Sequence, residues 1–228
     1  MKPLRIKHYL LITLSFAALL PVCALAAGSA TIAVNGHQTQ VDWYNGMIRV
    51  DPDNSNDHVI LRDGHVYSIA TSDGQAKVTD MTGMVQLLRR MIQNNSSMPI
   101  PFDATIDTVK ATGTSKTVAG ISGHVYKVSF TDANGQTQTQ NVVLTANPKA
   151  VEMTRAWLQA LPPVLGKAQV AQLTQALPDH ERGLLQIGND YRLTRISNIT
   201  PDASQFELPD QSASLSDMVK MLIRNHTQ

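Results

Sequence analysis

Asn-Gly and Asp-Gly pairs recur at short intervals along the chain, and they constrain its fold more than any other feature. They stand at 35–36, 45–46, 63–64, 73–74 and 134–135. Such pairs favour type I′ hairpin turns, because both central residues of that turn need a positive φ. The runs between the first four pairs are short and rich in β-branched and aromatic residues. The pattern predicts a meander of about six short strands in the first part of the chain.

Three later segments are predicted as helices because their apolar residues recur at helical spacing. The first is capped by Thr82, the second by Asn147 with Pro148 at its first position, and a shorter one spans 167–177. The apolar positions of the first helix are Met84, Leu87, Leu88 and Met91, and those of the second are Met153, Ala156, Trp157, Ala160 and Leu161. Strands are predicted between and after these helices, without strict alternation of strand and helix. This order predicts an α+β fold on an antiparallel sheet.

The N-terminal residues have the pattern of a secretory signal peptide. Lys2, Arg5 and Lys7 precede an apolar run from 9 to 20, and the small-x-small sequence of residues 24–26 follows. We predict cleavage after Ala26, export to a periplasm, a single domain over 27–213 and an amphipathic helix over 214–228. The apolar run is too short to span a membrane, and no later stretch is long enough.

Charge and cysteine content exclude several classes of function. Cleavage would remove three of the 19 basic residues and none of the 18 acidic ones, leaving 16 against 18 and a formal charge of −2. A chain of this charge lacks the basic surface that drives nucleic-acid binding. The one cysteine, Cys23, lies within the predicted signal, so the mature chain would have neither a disulfide nor a catalytic thiol.

The tetrapeptide Gly-His-Val-Tyr occurs twice, at 64–67 and at 123–126. Strand alternation places the histidine and the tyrosine of each copy on the same face of its strand. The sequences around the two copies do not otherwise match, which favours similar turn chemistry over a duplicated domain. We expect both histidines at hairpin ends without a ligand role, and both tyrosines anchored in the apolar layer with the hydroxyl directed toward a polar partner or water. A histidine metal site would need adjacent strands and a third ligand.

Four motifs lie in order between 105 and 209: KTVAGISGHVYKV (116–128), NVVLTANP (141–148), ERGLLQIG (181–188) and FELP (206–209). This order resembles the exported bacterial domain of unknown function forty-four-twelve, whose fold is similar to the half-barrel of periplasmic lipoprotein carriers. The shared signals are the Ala119-Gly120 turn, Tyr126 and the closing Phe206 to Pro209.

The chain departs from that family at three places. Where members often carry a cysteine and a strand tryptophan, this chain has Gly123 and Val142-Val143, and the usual Pro-Gly-Tyr ending is Pro-Asp-Gln. The family has no established catalytic residues, so the resemblance implies none here. It implies a curved antiparallel sheet, half-barrel-like, with helices packed across its concave face and a lipophilic cavity.

The segment DPDNSND (51–57) is the candidate metal site, for Ca²⁺. It places carboxylates at Asp51, Asp53 and Asp57, and alternating oxygen ligands suit a hard cation. An EF-hand loop would require Gly and Glu where this chain has Asn56 and Arg62. The alternative is a solvated turn whose polar side chains bond their own backbone.

Two functions from different classes remain open. The first is a non-enzymatic carrier that holds a lipophilic ligand or lipoprotein against the sheet, with Met84, Met91, Tyr126 and Trp157 as candidate cavity residues, because methionine adapts to irregular apolar partners. The second is a structural or protein-interaction module of the cell envelope that acts without a ligand, for example through helix 214–226. The chain contains no nucleophile elbow or paired catalytic carboxylates, so we predict no enzyme activity and no cofactor.

Overall fold

A computed structural model describes most of the chain. It covers residues 26–53, 55–72, 75–93, 104–132, 135–209 and 212–213. The predicted signal peptide up to residue 25 and the predicted helix 214–226 lie outside the described residues. Among the helices that the structure describes, none combines the length and the apolarity needed to cross a bilayer.

The predicted meander is present as six consecutive antiparallel strands, which we call the meander. Its turns at Asn35-Gly36, Asn45-Gly46 and Asp63-Gly64 all have positive φ at both central residues, as a type I′ turn requires. The pair at 73–74 and the first residue of the pair at 134–135 lie outside the described part of the chain. The strands are β1 (Ala27–Val34), β2 (His37–Tyr44), β3 (Met47–Pro52), β4 (His58–Arg62), β5 (His65–Ser72) and β6 (Gln75–Asp80).

Five further antiparallel strands continue the same sheet within the described ranges. They are β7 (Thr105–Val118), β8 (Ile121–Thr131), β9 (Thr137–Thr145), β10 (Gly183–Ile187) and β11 (Tyr191–Ser197). The order across the sheet is β6-β5-β4-β3-β2-β1-β11-β10-β9-β8-β7, and a short strand β12 (Ser212–Ala213) pairs in parallel with β6. The first and the last long strands, β1 and β11, therefore pair at the centre and join the two parts of the chain.

Strand β7 is the longest of the described strands and lies at one edge of the sheet. The sequence predicts two strands in this region, over 102–113 and 116–120, whereas the structure has the single strand Thr105–Val118. Its register on β8 shifts between Ala111 and Ser115. At that bulge Gly113 has a φ of 78°, and the Thr112 hydroxyl donates to the Val125 carbonyl at 2.8 Å. The extra residues bend β7 and increase its local twist.

In the described part of the chain, four helices cover the concave face, which is the face that carries Trp43. They are α1 (Thr82–Gln93), α2 (Pro148–Ala160), α3 (Pro162–Leu165) and α4 (Lys167–Ala176). Helix α2 packs on β1, β2, β3 and β10, α3 packs on β5, and α4 packs on β7. The protein is thus an α+β fold with a large curved, unclosed antiparallel sheet and helices on its inner side, as predicted.

Helix α2 begins where the sequence predicts. The Asn147 side chain accepts hydrogen bonds from the backbone N–H groups of Lys149 and Ala150, at 3.0 and 3.2 Å. Its buried side includes Met153, which is 1% exposed. Beneath the helix Trp43 is fully buried, and its Nε1 donates to Glu152 Oε1 at 2.9 Å. These contacts fix α2 over the centre of the concave face.

The segment after β11 covers part of the convex face of the meander. Phe206, in the 3₁₀ helix Ala203–Phe206, is fully buried and stacks on Tyr44 with ring centroids 5.9 Å apart. Arg62 Nη1 donates to the Phe206 carbonyl at 2.9 Å, and Leu208 packs against Ile60, Ile69 and Val78. The meander is therefore covered on both faces around Tyr44, Ile60, Ile69 and Val78.

Candidate functional site

An apolar cleft of about 610 Å³ lies on the concave face between the sheet and the helices α2 and α4. Its floor comes from β1 and β7 to β11, and its roof from the two helices and the residues that follow them. No charged side chain lines the cleft among the described residues. Its volume falls within the range of about 300 to 1,000 Å³ that is usual for small-molecule sites.

Strand alternation forms the floor of the cleft. Val128 and Phe130 on β8 lie on the same face as Val142 and Leu144 on β9, because residues two apart share a face and the two strands pair in register. The side chains of Val128, Phe130 and Val142 are only half-buried. Apolar surface therefore remains uncovered on the inner side of the sheet.

Leucines supply most of the roof. Leu158 and Leu161 project from α2 and the residue after it, and Leu173 and Leu177 come from α4 and its C-terminal end. All four are half-buried. Alternation and helical spacing were visible in the sequence, but nothing in it showed that this side of the sheet would be less completely filled than the meander.

Most polar side chains in the cleft wall already bond within the protein. The Thr154 hydroxyl donates to the Ala150 carbonyl and accepts from the Leu184 N–H, both at 2.8 Å. The amide nitrogens of Gln140 and Gln169 donate to Asp190 and to the Ala104 carbonyl. These groups therefore add little polarity to the cleft.

Trp157 is the exception. Its Nε1 is buried and has no hydrogen-bond partner in the described structure. A buried donor without a partner costs about 1 to 3 kcal/mol, and because this atom has almost no accessible surface it does not face the open volume of the cleft. Nearby Tyr191 also lines the cleft, and burial raises the pKa of its hydroxyl, so that hydroxyl stays neutral at physiological pH.

A smaller pocket of about 280 Å³ adjoins the cleft on the outer side of α2, and we call it the arginine pocket. Arg155 on α2 and Arg182 before β10 line it. It shares Thr154, Leu158 and Leu177 with the cleft, so these three residues form the boundary between the two cavities.

The second Gly-His-Val-Tyr stretch forms a hydrogen-bonded cluster with Glu181 on the concave face. The Tyr126 hydroxyl donates to Glu181 Oε2 at 2.8 Å, and His124 Nδ1 contacts Glu181 Oε1. Burial alone would raise the pKa of Glu181, but the hydrogen bonds from Tyr126 and His124 outweigh it and hold that pKa below its usual value. The tyrosine hydroxyl thus has a polar partner, as expected.

The first Gly-His-Val-Tyr stretch forms a related cluster on the convex face. His65 Nδ1 lies 2.9 Å from Asp80 Oδ2, and the rings of His65 and Tyr67 stack with centroids 5.7 Å apart. Asp80 Oδ1 also accepts from the Thr82 N–H at the start of α1. His65 and His124 lie on β5 and β8, which are far apart in the sheet, so the structure does not bring the two histidines together.

The three carboxylates of the candidate calcium segment bond in different directions or point to solvent. Asp51 forms an ion pair with Arg49 at 2.7 Å, and Asp57 Oδ1 accepts from the Thr71 N–H. Asp53 is exposed in the turn after β3. Within the described part of the chain, no group of three His, Cys, Asp or Glu side chains is placed to hold a metal ion.

The four candidate cavity residues are distributed unevenly. Trp157 lines the cleft, and Tyr126 lies on the same face of β8 as the cleft residue Val128. Met84 lies on α1, away from the cleft, and is 37% exposed. The side chain of Met91 lies outside the described residues.

Comparison with known proteins does not assign this chain to a family. No protein-family model matches it, and neither the curated proteins nor the solved structures searched are significantly similar to it.

Proposed function

We propose that this protein is a non-enzymatic binding protein of an exported compartment that holds a lipophilic ligand in the concave cleft. The observation that carries the proposal is the cleft itself: about 610 Å³ of space bounded by apolar side chains, with no charged residue among its described lining. An apolar molecule that displaces water from such a surface gains about 25 cal/mol for each Å² of apolar area removed from water.

The polar groups of the cleft wall support the same proposal. The Thr154 hydroxyl and the amide nitrogens of Gln140 and Gln169 already bond within the protein, so they offer little to a polar ligand. The part of the ligand inside the cleft would therefore be mostly hydrocarbon.

The test uses the tryptophan as the reporter. A bromine-labelled dodecanol should quench the fluorescence of Trp157 with saturation, and Trp157→Phe should abolish this saturable component, because the only other tryptophan, Trp43, is fully buried in the core.

A matched pair of variants locates the binding. Val142→Phe adds bulk inside the cleft and should reduce binding at least about tenfold, whereas Asn141→Phe adds the same ring on the opposite, exposed face of β9. If both variants bind bromododecanol like the parent chain, or if no saturable quenching occurs, the proposal fails.

The second candidate is a protein-interaction role, and the surface of α1 favours it. Leu87 and Leu88 are 57% and 52% exposed beside Met84, so this helix presents apolar side chains to solvent. A second copy of the chain that covers this stripe would produce a dimer in sedimentation velocity, and Leu87→Ser with Leu88→Ser would dissociate it. A monomeric parent chain would contradict this candidate.

A further inference from the structure

We infer that the ligand is a single-chain amphiphile with an anionic head, and that the head binds in the arginine pocket while the chain fills the cleft. This inference rests on the proposed function and adds the chemical class of the ligand. The juxtaposition that carries it is an uncharged apolar cleft beside a smaller pocket lined by two arginines.

The two cavities are adjacent because they share part of their walls. Thr154, Leu158 and Leu177 belong to the walls of both. Leu158 projects from α2, and Leu177 follows α4. A ligand that spans both cavities therefore passes these two half-buried leucine side chains.

The arginine pocket has guanidinium donors that are available to bind an anion. Arg155 is exposed and forms no ion pair or hydrogen bond with the described residues. Arg182 Nη2 donates to the Thr174 carbonyl at 2.8 Å, and its Nη1 lies 3.9 Å from Asp179 Oδ1. Because the Asp179 side chain is 92% exposed, that ion pair is weakened by water and leaves guanidinium donors of both arginines available.

The cleft itself cannot hold the charged end. Its described lining offers no cation, and a carboxylate or phosphate moved into an apolar environment without a partner is strongly destabilised. Arginine, in contrast, binds carboxylate and phosphate oxygens through two parallel hydrogen bonds. An amphiphile with an anionic head matches both cavities, whereas a neutral lipid would leave Arg155 without a partner among the described residues.

Calorimetric titration of the full chain with laurate and with dodecanol tests the inference. The two probes have the same chain length and differ in head charge. Laurate should bind at least about tenfold more tightly at neutral pH. Arg155→Gln should remove most of that advantage while leaving dodecanol binding unchanged.

Two controls separate charge from folding. Lys167→Gln removes one exposed positive charge at the start of α4, outside the residues that line the pocket, and should not change laurate binding. Arg182→Lys keeps a cation that reaches toward the Thr174 carbonyl, and its melting temperature shows whether the fold is intact. This variant should weaken laurate binding, since lysine lacks the planar fork.

The outcomes are distinguishable. Equal affinity for laurate and dodecanol, unaffected by Arg155→Gln, would overturn the amphiphile while leaving the cleft proposal intact. Binding of neither probe would overturn both. A further titration compares inorganic phosphate with lauryl phosphate. If the two bind equally tightly and both lose affinity in Arg155→Gln, the pocket is a site for free anions, which would also overturn the inference.

Discussion

The two Gly-His-Val-Tyr stretches contain the same four residues, yet they occupy opposite faces of one sheet. Tyr67 pairs with Ile60 on the convex face, and Tyr126 pairs with Val142 on the concave face that bears the cleft. Both copies bind a carboxylate, Asp80 in the first and Glu181 in the second. The two copies therefore make the same kind of polar contact, whereas the face of the sheet on which each copy lies depends on the register of its strand.

The glycines that begin the two stretches differ as well. Gly64 lies in a turn with a φ of +79°, and the space where a Cβ would stand is open. Gly123 lies inside β8, because the turn of that hairpin is at Ala119-Gly120. A Cβ at position 123 would approach the Leu144 carbonyl oxygen to 2.5 Å. Glycine is thus needed for the positive φ of a turn in the first copy and for close packing inside a strand in the second.

The largest expected difference between the copies is at these glycines. Gly123→Ala should destabilise the protein by about 3 kcal/mol, since the added methyl group meets backbone that cannot move aside. Gly64→Ala should cost only about 1 to 2 kcal/mol, the strain of a left-handed alanine. Urea titrations of both variants measure the difference. Equal costs would show that strand β8 relaxes around position 123.

The next difference separates tyrosine from histidine within the second copy. Tyr126→Ala should cost about 3 kcal/mol, because it removes a large ring from the apolar layer and the hydrogen bond to Glu181. His124→Ala should cost under about 1 kcal/mol, since the His124 side chain is 58% exposed. Unfolding midpoints decide between them. A larger loss for His124→Ala, or recovery of its midpoint with zinc, would indicate a histidine site instead.

The smallest expected effect is the response to acid. Because the folded protein lowers the pKa of Glu181 below its ordinary value of 4.5, ionised Glu181 stabilises the fold above that pH. This contribution is lost as the pH falls through the lowered pKa. Glu181→Gln should therefore be less stable than the parent chain at neutral pH and lose less stability on acidification. If urea titrations show the same pH dependence of stability for Glu181→Gln and for the parent chain, this role of Glu181 is contradicted.

Asp80→Asn is the matched variant in the first copy. The pKa of Asp80 is also lowered, from 3.8, because the hydrogen bonds from Thr82 and His65 outweigh the effect of burial. Its contribution to stability should therefore be present above the ordinary value of 3.8 and be lost as the pH falls through the lowered pKa. The Asn side chain still offers an oxygen to the Thr82 N–H, so the loss at neutral pH should be the smaller of the two.

Local features of the fold were predictable from the sequence because they depend on a few adjacent residues. The Asn-Gly and Asp-Gly turns need only two residues with positive φ, and the start of α2 needs only Asn147 and Pro148. The alternation in β8 likewise placed His124 and Tyr126 on one face. Each of these interactions spans at most a few positions in the chain.

The pairing of distant strands was not predictable from those signals. Nothing near Ile32 or Leu193 indicates that β1 and β11 would pair at the centre of the sheet. The cleft depends on that pairing, because it determines which apolar faces meet α2 and which remain uncovered.

The apolar positions of α1 show a further limit of sequence-based prediction: here the element was predicted but the burial of its apolar face was not. The periodicity of Leu87 and Leu88 predicts a helix, and a helix forms, but their side chains are exposed. Periodicity therefore shows which residues share a helix face and does not show what that face contacts.

The bulge in β7 has a consequence for the behaviour of the protein at high concentration. An unclosed sheet ends in strands whose free N–H and C=O groups are templates for a strand from another molecule. At the β7 edge the chain is bent around Gly113, and the exposed Lys110 and Lys116 stand on either side of the bend. Curvature and charge both oppose strand addition, so this edge, which no other described strand pairs with, is a poor template for amyloid-like polymerisation although it is long.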